Sequence, residues 1–189
     1  MPGGGKLIYS LNVSLDGFVE TPDHGLEWAE VDEEVHTWFN DQARKIQASL
    51  YGRRMYEVMA SYWPTAEDDP DAAGPEREFS RIWKPMPKVV FSSSLERVDH
   101  NARLVQGDVG EVLGELRREF AGDLDVGGAN LAGQFVRLGL VDEYQLVVHP
   151  VVLGAGTPFW PELDAPLHLR LAATRRFANG AELRSWVPA

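Results

Sequence analysis

The sequence predicts an α/β fold: a mostly parallel central sheet with helices on both faces and a C-terminal antiparallel hairpin. Three observations predict it. Short apolar runs alternate with segments of helical periodicity along most of the chain. Several of those runs are apolar at consecutive positions, as strands covered on both faces are. Residues 168–177 and 182–187 read as two strands joined across Ala178-Asn179-Gly180, which is hairpin chemistry.

Residues 6–14 alternate, with Leu7, Tyr9, Leu11 and Val13 on one face and Ile8, Ser10, Asn12 and Ser14 on the other. Ile8 interrupts the polar set, so something packs on both sides. Asp16-Gly17 ends this strand as a turn. Residues 18–30, with Pro22, His24, Gly25 and Trp28, read as a loop of functional length. Asp32 caps a helix over 33–46 that sets Val35, Trp38, Phe39, Ala43 and Ile46 on one side. A strand over 48–51 runs into Gly52-Arg53-Arg54, where a second helix starts and ends before Pro64. Residues 64–78 read as an exposed loop in which Glu67, Asp68, Asp69 and Asp71 form a solvated charge run.

A buried strand over 88–91 closes on Ser92-Ser93-Ser94, and a weaker one covers 102–105. Asp108 and Glu111 form a capping-box pattern. The helix behind them buries Val109, Val112, Leu113, Leu116 and Phe120. Strand 124–128 leads into a helix over 130–138 that stops at Gly139. Residues 143–152 are strongly strand-like. No linker or internal repeat divides the chain, so the expectation is one domain over 1–189, with residues 1–5 as a flexible N-terminus.

With 44% hydrophobic and 25% charged residues the chain reads as an ordinary globular protein. Its net charge of −11 repels nucleic acid and anionic membrane surfaces, so the expected partner is a small molecule. The absence of cysteine excludes disulfides, thiolate metal sites and a Cys nucleophile. The five histidines have no ligand spacing, so no metal is expected. No G-x-S-x-G marks a serine hydrolase. Neither a leader peptide nor a membrane span is evident, and a cytoplasmic location is expected.

Three strand ends carry the candidate chemistry. Strand 48–51 ends at Gly52-Arg53-Arg54, strand 88–91 at Ser92-Ser93-Ser94, and strand 124–126 at Gly127-Gly128, with a helix opening behind them. In an open parallel sheet such ends lie along one edge, where ligands bind. Glycines before a helix let an anion approach its unpaired N–H groups. Arginine forks suit phosphate, and serines can donate to the same group. Singly, each has a plain structural reading: Arg53 and Arg54 pairing with acids, the serines capping a turn, Gly-Gly making a tight connection. Together they form a long polyanion site suited to a pyrophosphate with one further phosphate, as in NADPH.

The ordered set Ser14-Leu15-Asp16-Gly17, Gly52-Arg53-Arg54-Met55-Tyr56-Glu57, Val90-Phe91-Ser92-Ser93-Ser94 and Gly127-Gly128-Ala129 resembles the dihydrofolate reductase-like family. More closely it resembles the branch of the C-terminal reductase domain of the riboflavin-biosynthesis deaminase/reductase. The segments His149-Pro150-Val151-Val152-Leu153-Gly154 and Gly156-Thr157-Pro158-Phe159-Trp160 share that likeness, which spans about residues 6–187. It implies a dihydrofolate reductase-like three-layer sandwich and an NADPH-dependent reductase. By that likeness Arg53 and Arg54, with Ser92 and Ser93, hold the 2′-phosphate, while Gly52, Met55 and Ser94 complete that end. Gly127, Gly128, Ala129, Asn130 and Leu131 hold the pyrophosphate, with a cis peptide often found between two such glycines. The acceptor lies between the loop after the first strand and the helix of Trp38 and Phe39. In the riboflavin branch it is a ribosylamino-pyrimidine phosphate, as in 5-amino-6-(5-phosphoribosylamino)uracil reductase. Homodimers are common among such reductases, and a homodimer is expected here.

One position departs from the pattern. Folate reductases carry their substrate-protonating carboxylate three residues before the Trp-Phe pair, and here that residue is Val35. Glu34 is rotated from it by about 100°. This points away from dihydrofolate itself; a non-catalytic nucleotide-binding or stress-associated protein on the same fold, or an atypical dihydrofolate reductase, are the alternatives. Asp16, at the end of the first strand, is the candidate for proton delivery, against a plain role as a turn residue. Asn12, Asp16, His36, Phe39 and Asn40 are the candidate substrate contacts, although His36 and Asn40 also suit a solvated helix face. His149 reads as a structural strand residue. Trp28 and Trp63 are the tryptophans placed to cover a flat ring.

Overall fold

A computed structural model describes residues 4–189; residues 1–3 of the expected flexible N-terminus lie outside them. The strands are β1 (Leu7–Ser14), β2 (Phe18–Glu20), β3 (Ile46–Gly52), β4 (Lys88–Phe91), β5 (Ala102–Val105), β6 (Asp123–Gly127), β7 (Glu143–His149), β8 (Thr157–Pro158), β9 (Leu169–Arg176) and β10 (Glu182–Pro188). The helices are α1 (Glu33–Ala43), α2 (Arg53–Tyr62), α3 (Gly74–Trp83), α4 (Val109–Glu119) and α5 (Ala129–Arg137). Eight strands form one sheet in the order β5-β4-β3-β6-β1-β7-β10-β9. The first six run parallel, and β10 and β9 add antiparallel pairs, as the hairpin pattern predicts. No described helix is long and apolar enough to cross a membrane.

The period-2 alternation of the strands sorts the two faces. Leu7, Tyr9, Leu50, Leu124, Val126 and Tyr144 point toward α4 and α5, where they meet Leu113, Leu116 and Phe135 in the main core. Burying side chains of this size gives about 1.5–3 kcal/mol each, which fixes the strand register. On the opposite face Val147 packs with Val35 and Trp38 of α1 and with Phe177 and Leu183 of the hairpin. The residues between them on that face are shorter or polar, and a cavity remains above them.

The reading of 64–78 as loop is corrected. α3 starts at Gly74 inside that stretch, after a single 3-10 turn at Ala66–Asp68. Pro75 lies in its first turn, where no N–H is needed, and Glu76 accepts from the Ala73 main-chain N–H at 2.6 Å. Glu67 is no isolated solvated charge, because it pairs with Lys84 at 3.4 Å and Arg81 at 3.7 Å. The expected loop over 18–30 contains β2, which pairs with β8 in a two-stranded ribbon. The first helix ends at Ala43 rather than 46, because Ile46 already belongs to β3. β7 ends at His149, since Pro150 cannot donate to the ladder.

Candidate functional site

The ends of β4, β3 and β6 stand side by side: Gly52 is in register with Phe91, and Tyr51 with Gly127. α2 and α5 start from this edge with glycine N-caps at Gly52 and Gly128, and neither start has a side-chain cap. α1 and α4, by contrast, are capped by Asp32 and Asp108. The two uncapped starts touch. A Cβ on Gly52 would lie 3.6 Å from the Leu131 Cβ, and one on Gly128 3.2 Å from the Met55 Cβ. Gly128 has φ +92°, in the region that favours glycine. Two positive helix ends therefore meet at one place, with no side-chain oxygen occupying their first N–H groups.

Around this place the predicted cofactor residues divide. Arg53 turns toward β4, where its Nη1 donates to Ser94 Oγ at 3.2 Å and its Nε to Glu57 at 2.9 Å. Ser93 is exposed beside them, while Ser92 Oγ accepts from the Ser94 and Leu95 main-chain N–H groups and so closes the turn. Arg54 does not join Arg53. Its guanidinium forks onto Glu20 of β2, a nearly buried carboxylate that also accepts from Thr157 at 2.6 Å and contacts His24 at 2.9 Å. The hydrogen bond from Arg54, against the opposing effect of burial, holds that carboxyl down at about 2. The expectation of a paired Arg53–Arg54 phosphate clamp is corrected: the two forks diverge. Ala129, Asn130 and Leu131 form the first turn of α5, but the Leu131 side chain belongs to the core, leaving only its main chain for a ligand. The Gly127–Gly128 peptide is trans, since no described peptide bond is cis.

Asp16 is also reassigned. Its carboxylate accepts from Ser14 Oγ at 2.7 Å, Leu153 N at 3.1 Å and Gly154 N at 2.7 Å. Slight desolvation is outweighed by these donors, so its pKa is lowered. An ionised acceptor tying the β1 turn to the segment after β7 is no proton donor. Asn40 is likewise a strut: fully buried, it donates to the Pro75 carbonyl at 2.9 Å and to Glu78 at 2.8 Å, holding α3 against α1.

Between α1, α2, α3 and the sheet lies a cavity of about 710 Å³. Asn12, Met55 and Gly127 line it at the glycine edge, while Lys6, Asp123 and Glu143 line its far end. His36, Phe39, Trp63 and Phe79 form the roof. Burial holds the His36 imidazole below its ordinary pKa, against the opposing effect of Glu76 and Glu78. Asn12 Oδ1 accepts from His149 Nε2 at 2.9 Å, which fixes its amide beside the opening. Trp63 lines the cavity, whereas Trp28 packs edge-on to His149 with ring centroids 5.8 Å apart.

The floor is polar. Asp125 on β6 stands in register with Ser49 on β3 and Ile8 on β1, and Ser10 on β1 is in register with Gln145 on β7. Asp125 Oδ1, Ser10 Oγ and Gln145 Oε1 are buried without hydrogen-bond partners. Burial pushes the Asp125 carboxyl up to about 6, with the Ser49 hydroxyl acting in the opposite sense. Sealed polar atoms without partners cost stability unless something else satisfies them.

Residues 5–183 match the family of RibD C-terminal domains. The chain belongs to the RibD C-terminal domain family. Its relatives include the uncharacterized protein YyaP of Bacillus subtilis (strain 168), 34% identical over 93% of this chain and 90% of that one. Among solved structures, a protein assigned to riboflavin biosynthesis from Shewanella sp. PV-4 superposes with a TM-score of 0.79 at 19% identity, covering 97% of this chain and 99% of that one. Dihydrofolate reductase from Enterococcus faecalis, complexed with NADP(H) and RAB-propyl, superposes with a TM-score of 0.65 at 14% identity, covering 98% and 97%. The fold is dihydrofolate reductase-like, as the ordered motifs imply.

In this RibD-type chain Val35 is fully buried among Val147, Phe177 and Leu183, so α1 offers the cavity no carboxylate. Glu34 faces away, accepting from Arg175 at 2.8 Å and Ala178 N at 2.9 Å. Four acids line the cavity, Glu76, Asp123, Asp125 and Glu143, and of these Asp125, on the sheet floor, was not singled out from the sequence. The signal was there: a carboxylate between Leu124 and Val126, in a strand buried on both sides, is costly without a reason.

Proposed function

We propose that the protein is an NADPH-dependent reductase that transfers hydride to a small pyrimidine-, pterin- or ribosylamino-type acceptor held beneath α1. One observation carries the reading. The paired uncapped helix starts stand at the mouth of the 710 Å³ cavity, and Met55 and Gly127 border both. A dinucleotide lying along the edge thus has its diphosphate at main-chain N–H groups and its reactive ring at the cavity.

The residues present fit such a cofactor. The starts of α2 and α5 hold the diphosphate. Arg53, with Ser93 and Ser94, holds the additional phosphate that separates NADPH from NADH, a charge-assisted contact. The Asn12 amide, steadied by His149, marks the nicotinamide end. When bound, the cofactor supplies the hydride. The chain's part is to orient the acceptor against Phe39 and Trp63, exclude water and manage one proton. The family assignment and the NADP(H)-bound neighbour of the same fold support this reading.

The test follows the absorbance of reduced nicotinamide while the protein is offered ribosylamino-pyrimidines, pterins and oxidised pyrimidines in turn. Acceptor-dependent loss of that absorbance is expected. Tight NADPH binding without turnover of any of them would favour a non-catalytic nucleotide-binding protein.

A further inference from the structure

The cavity floor collects three oxygen atoms that the protein itself leaves unused. Asp125 Oδ1, Ser10 Oγ and Gln145 Oε1 come from β6, β1 and β7, which are neighbours in the sheet, and all three residues line the cavity. The Gln145 orientation is fixed, because its Nε2 donates to Glu143 at 2.8 Å and Glu143 is itself held by Lys6 and Ser185. Its carbonyl oxygen therefore remains an acceptor. A carboxyl, an amide oxygen and a hydroxyl make a surface richer in acceptors than donors, so its complement carries N–H groups. The walls above are flat and apolar: Phe39, Trp63 and Phe79, with Met55 and Met59. That combination selects a planar nitrogen heterocycle that presents amino or ring N–H groups downward.

We propose that Asp125 is the acid that meets the hydride acceptor, hydrogen-bonding an N–H edge of its ring and supplying the proton that accompanies the hydride, with Ser10 and Gln145 fixing the ring beside it. This rests on the reductase reading above. It places the carboxylate on the sheet floor, across the cavity from Val35 of α1. As hydride from the reduced nicotinamide reaches the carbon of a C=N or C=O bond, the Asp125 O–H bond breaks and its proton passes to the nitrogen or oxygen. The carboxylate left behind is reprotonated by water from the cavity mouth. Burial already raises this carboxyl, and an occupant that displaces cavity water raises it further. The other titratable and hydroxyl groups lining the cavity with it are Ser49 and Tyr51 from β3, His36 from α1, Lys45 from the turn after α1, Tyr62 from α2, Glu76 from α3, and Lys6, Asp123 and Glu143 at the far end. Two lysines line the cavity, Lys6 engaged by Glu143 and Lys45 by Gln42, and neither forms an ion pair with Asp125.

The probe is 2,4-diaminopyrimidine, a planar ring whose protonated form presents two adjacent N–H donors to a carboxylate. Its binding is measured by calorimetry and by the ultraviolet spectrum that distinguishes protonated from neutral ring, in the intact protein, Asp125→Asn and Gln145→Leu. NADPH is titrated into each. The expected result is that the intact protein binds the protonated ring, that Asp125→Asn weakens it about 10- to 100-fold, and that NADPH affinity is kept. Gln145→Leu should weaken the probe less and leave the bound ring protonated. Asp125→Asn with unchanged probe affinity, or a neutral ring bound to the intact protein, overturns the inference and leaves the reductase reading standing. Failure of NADPH to bind the intact protein, with the probe still bound through Asp125, removes the reductase reading and the proton transfer with it.

Discussion

Arg53 and Ser94 meet across the gap between β3 and β4, guanidinium Nη1 to hydroxyl at 3.2 Å, on the exposed edge beside two uncapped helix starts. With Nε held by Glu57 at 2.9 Å, Arg53 Nη2 and the Ser93 hydroxyl are left open to a dianion. Arg53→Ala is expected to weaken NADPH by about 1–3 kcal/mol while NADH changes little. Paired calorimetric titrations with the two nucleotides check this. Equal losses would remove Arg53 from the phosphate.

Arg54 serves the fold first. Its fork ties α2 to the β2–β8 ribbon through Glu20, whose side chain is 10% exposed. Glu20→Gln should cost about 1–2 kcal/mol, less than a fully buried pair because the Arg54 head stays half-exposed. The Glu20 pKa is depressed to about 2, so its contribution is complete above the ordinary carboxylate range and is lost as pH falls toward 2. Denaturant melts of the two proteins should differ at pH 6 and converge near pH 2. A gap that persists there would contradict the assignment.

Asp125 has the opposite sign. Its raised pKa means that the folded state binds the proton more tightly than the unfolded chain, so stability declines as pH rises from about 4 toward 6 and the penalty is complete above that. Asp125→Asn should therefore be more stable than the parent at pH 8 by about 1–3 kcal/mol and show little gain at pH 4. Melts at both values decide it. A variant less stable than the parent at pH 8 would show that the carboxylate is satisfied in the fold.

Asp16 clamps two distant turns with acceptor oxygens alone. Asp16→Asn is expected to lower the melting temperature and to leave the pH dependence of turnover unchanged, because the group stays ionised in the working range. Loss of an ionisation from the rate profile would restore it as a proton donor.

Much of this architecture is legible in the chain because apolar periodicity and turn residues are local. The glycine edge was readable for the same reason: Gly52-Arg53-Arg54, Ser92-Ser93-Ser94 and Gly127-Gly128 each end a strand, and parallel order aligns such ends. α3 was hidden by its Pro-Gly-rich, acidic approach, and β2 and β8 were hidden by their shortness. Asp16 misled because its true partners, Leu153 and Gly154, lie 137 and 138 residues away. The divergence of Arg53 and Arg54 has a local cause, since adjacent helix residues point about 100° apart. The floor of Ser10, Asp125 and Gln145 comes from three separate parts of the chain. Only the sheet order β6-β1-β7 brings them together.

The most direct measurement is the crystal structure after soaking with NADPH. The diphosphate is expected at the touching starts of α2 and α5, the 2′-phosphate against Arg53 and Ser93–Ser94, and the nicotinamide at the Asn12 end of the cavity. Density for the nucleotide anywhere else, or none at saturating NADPH, would contradict that placement.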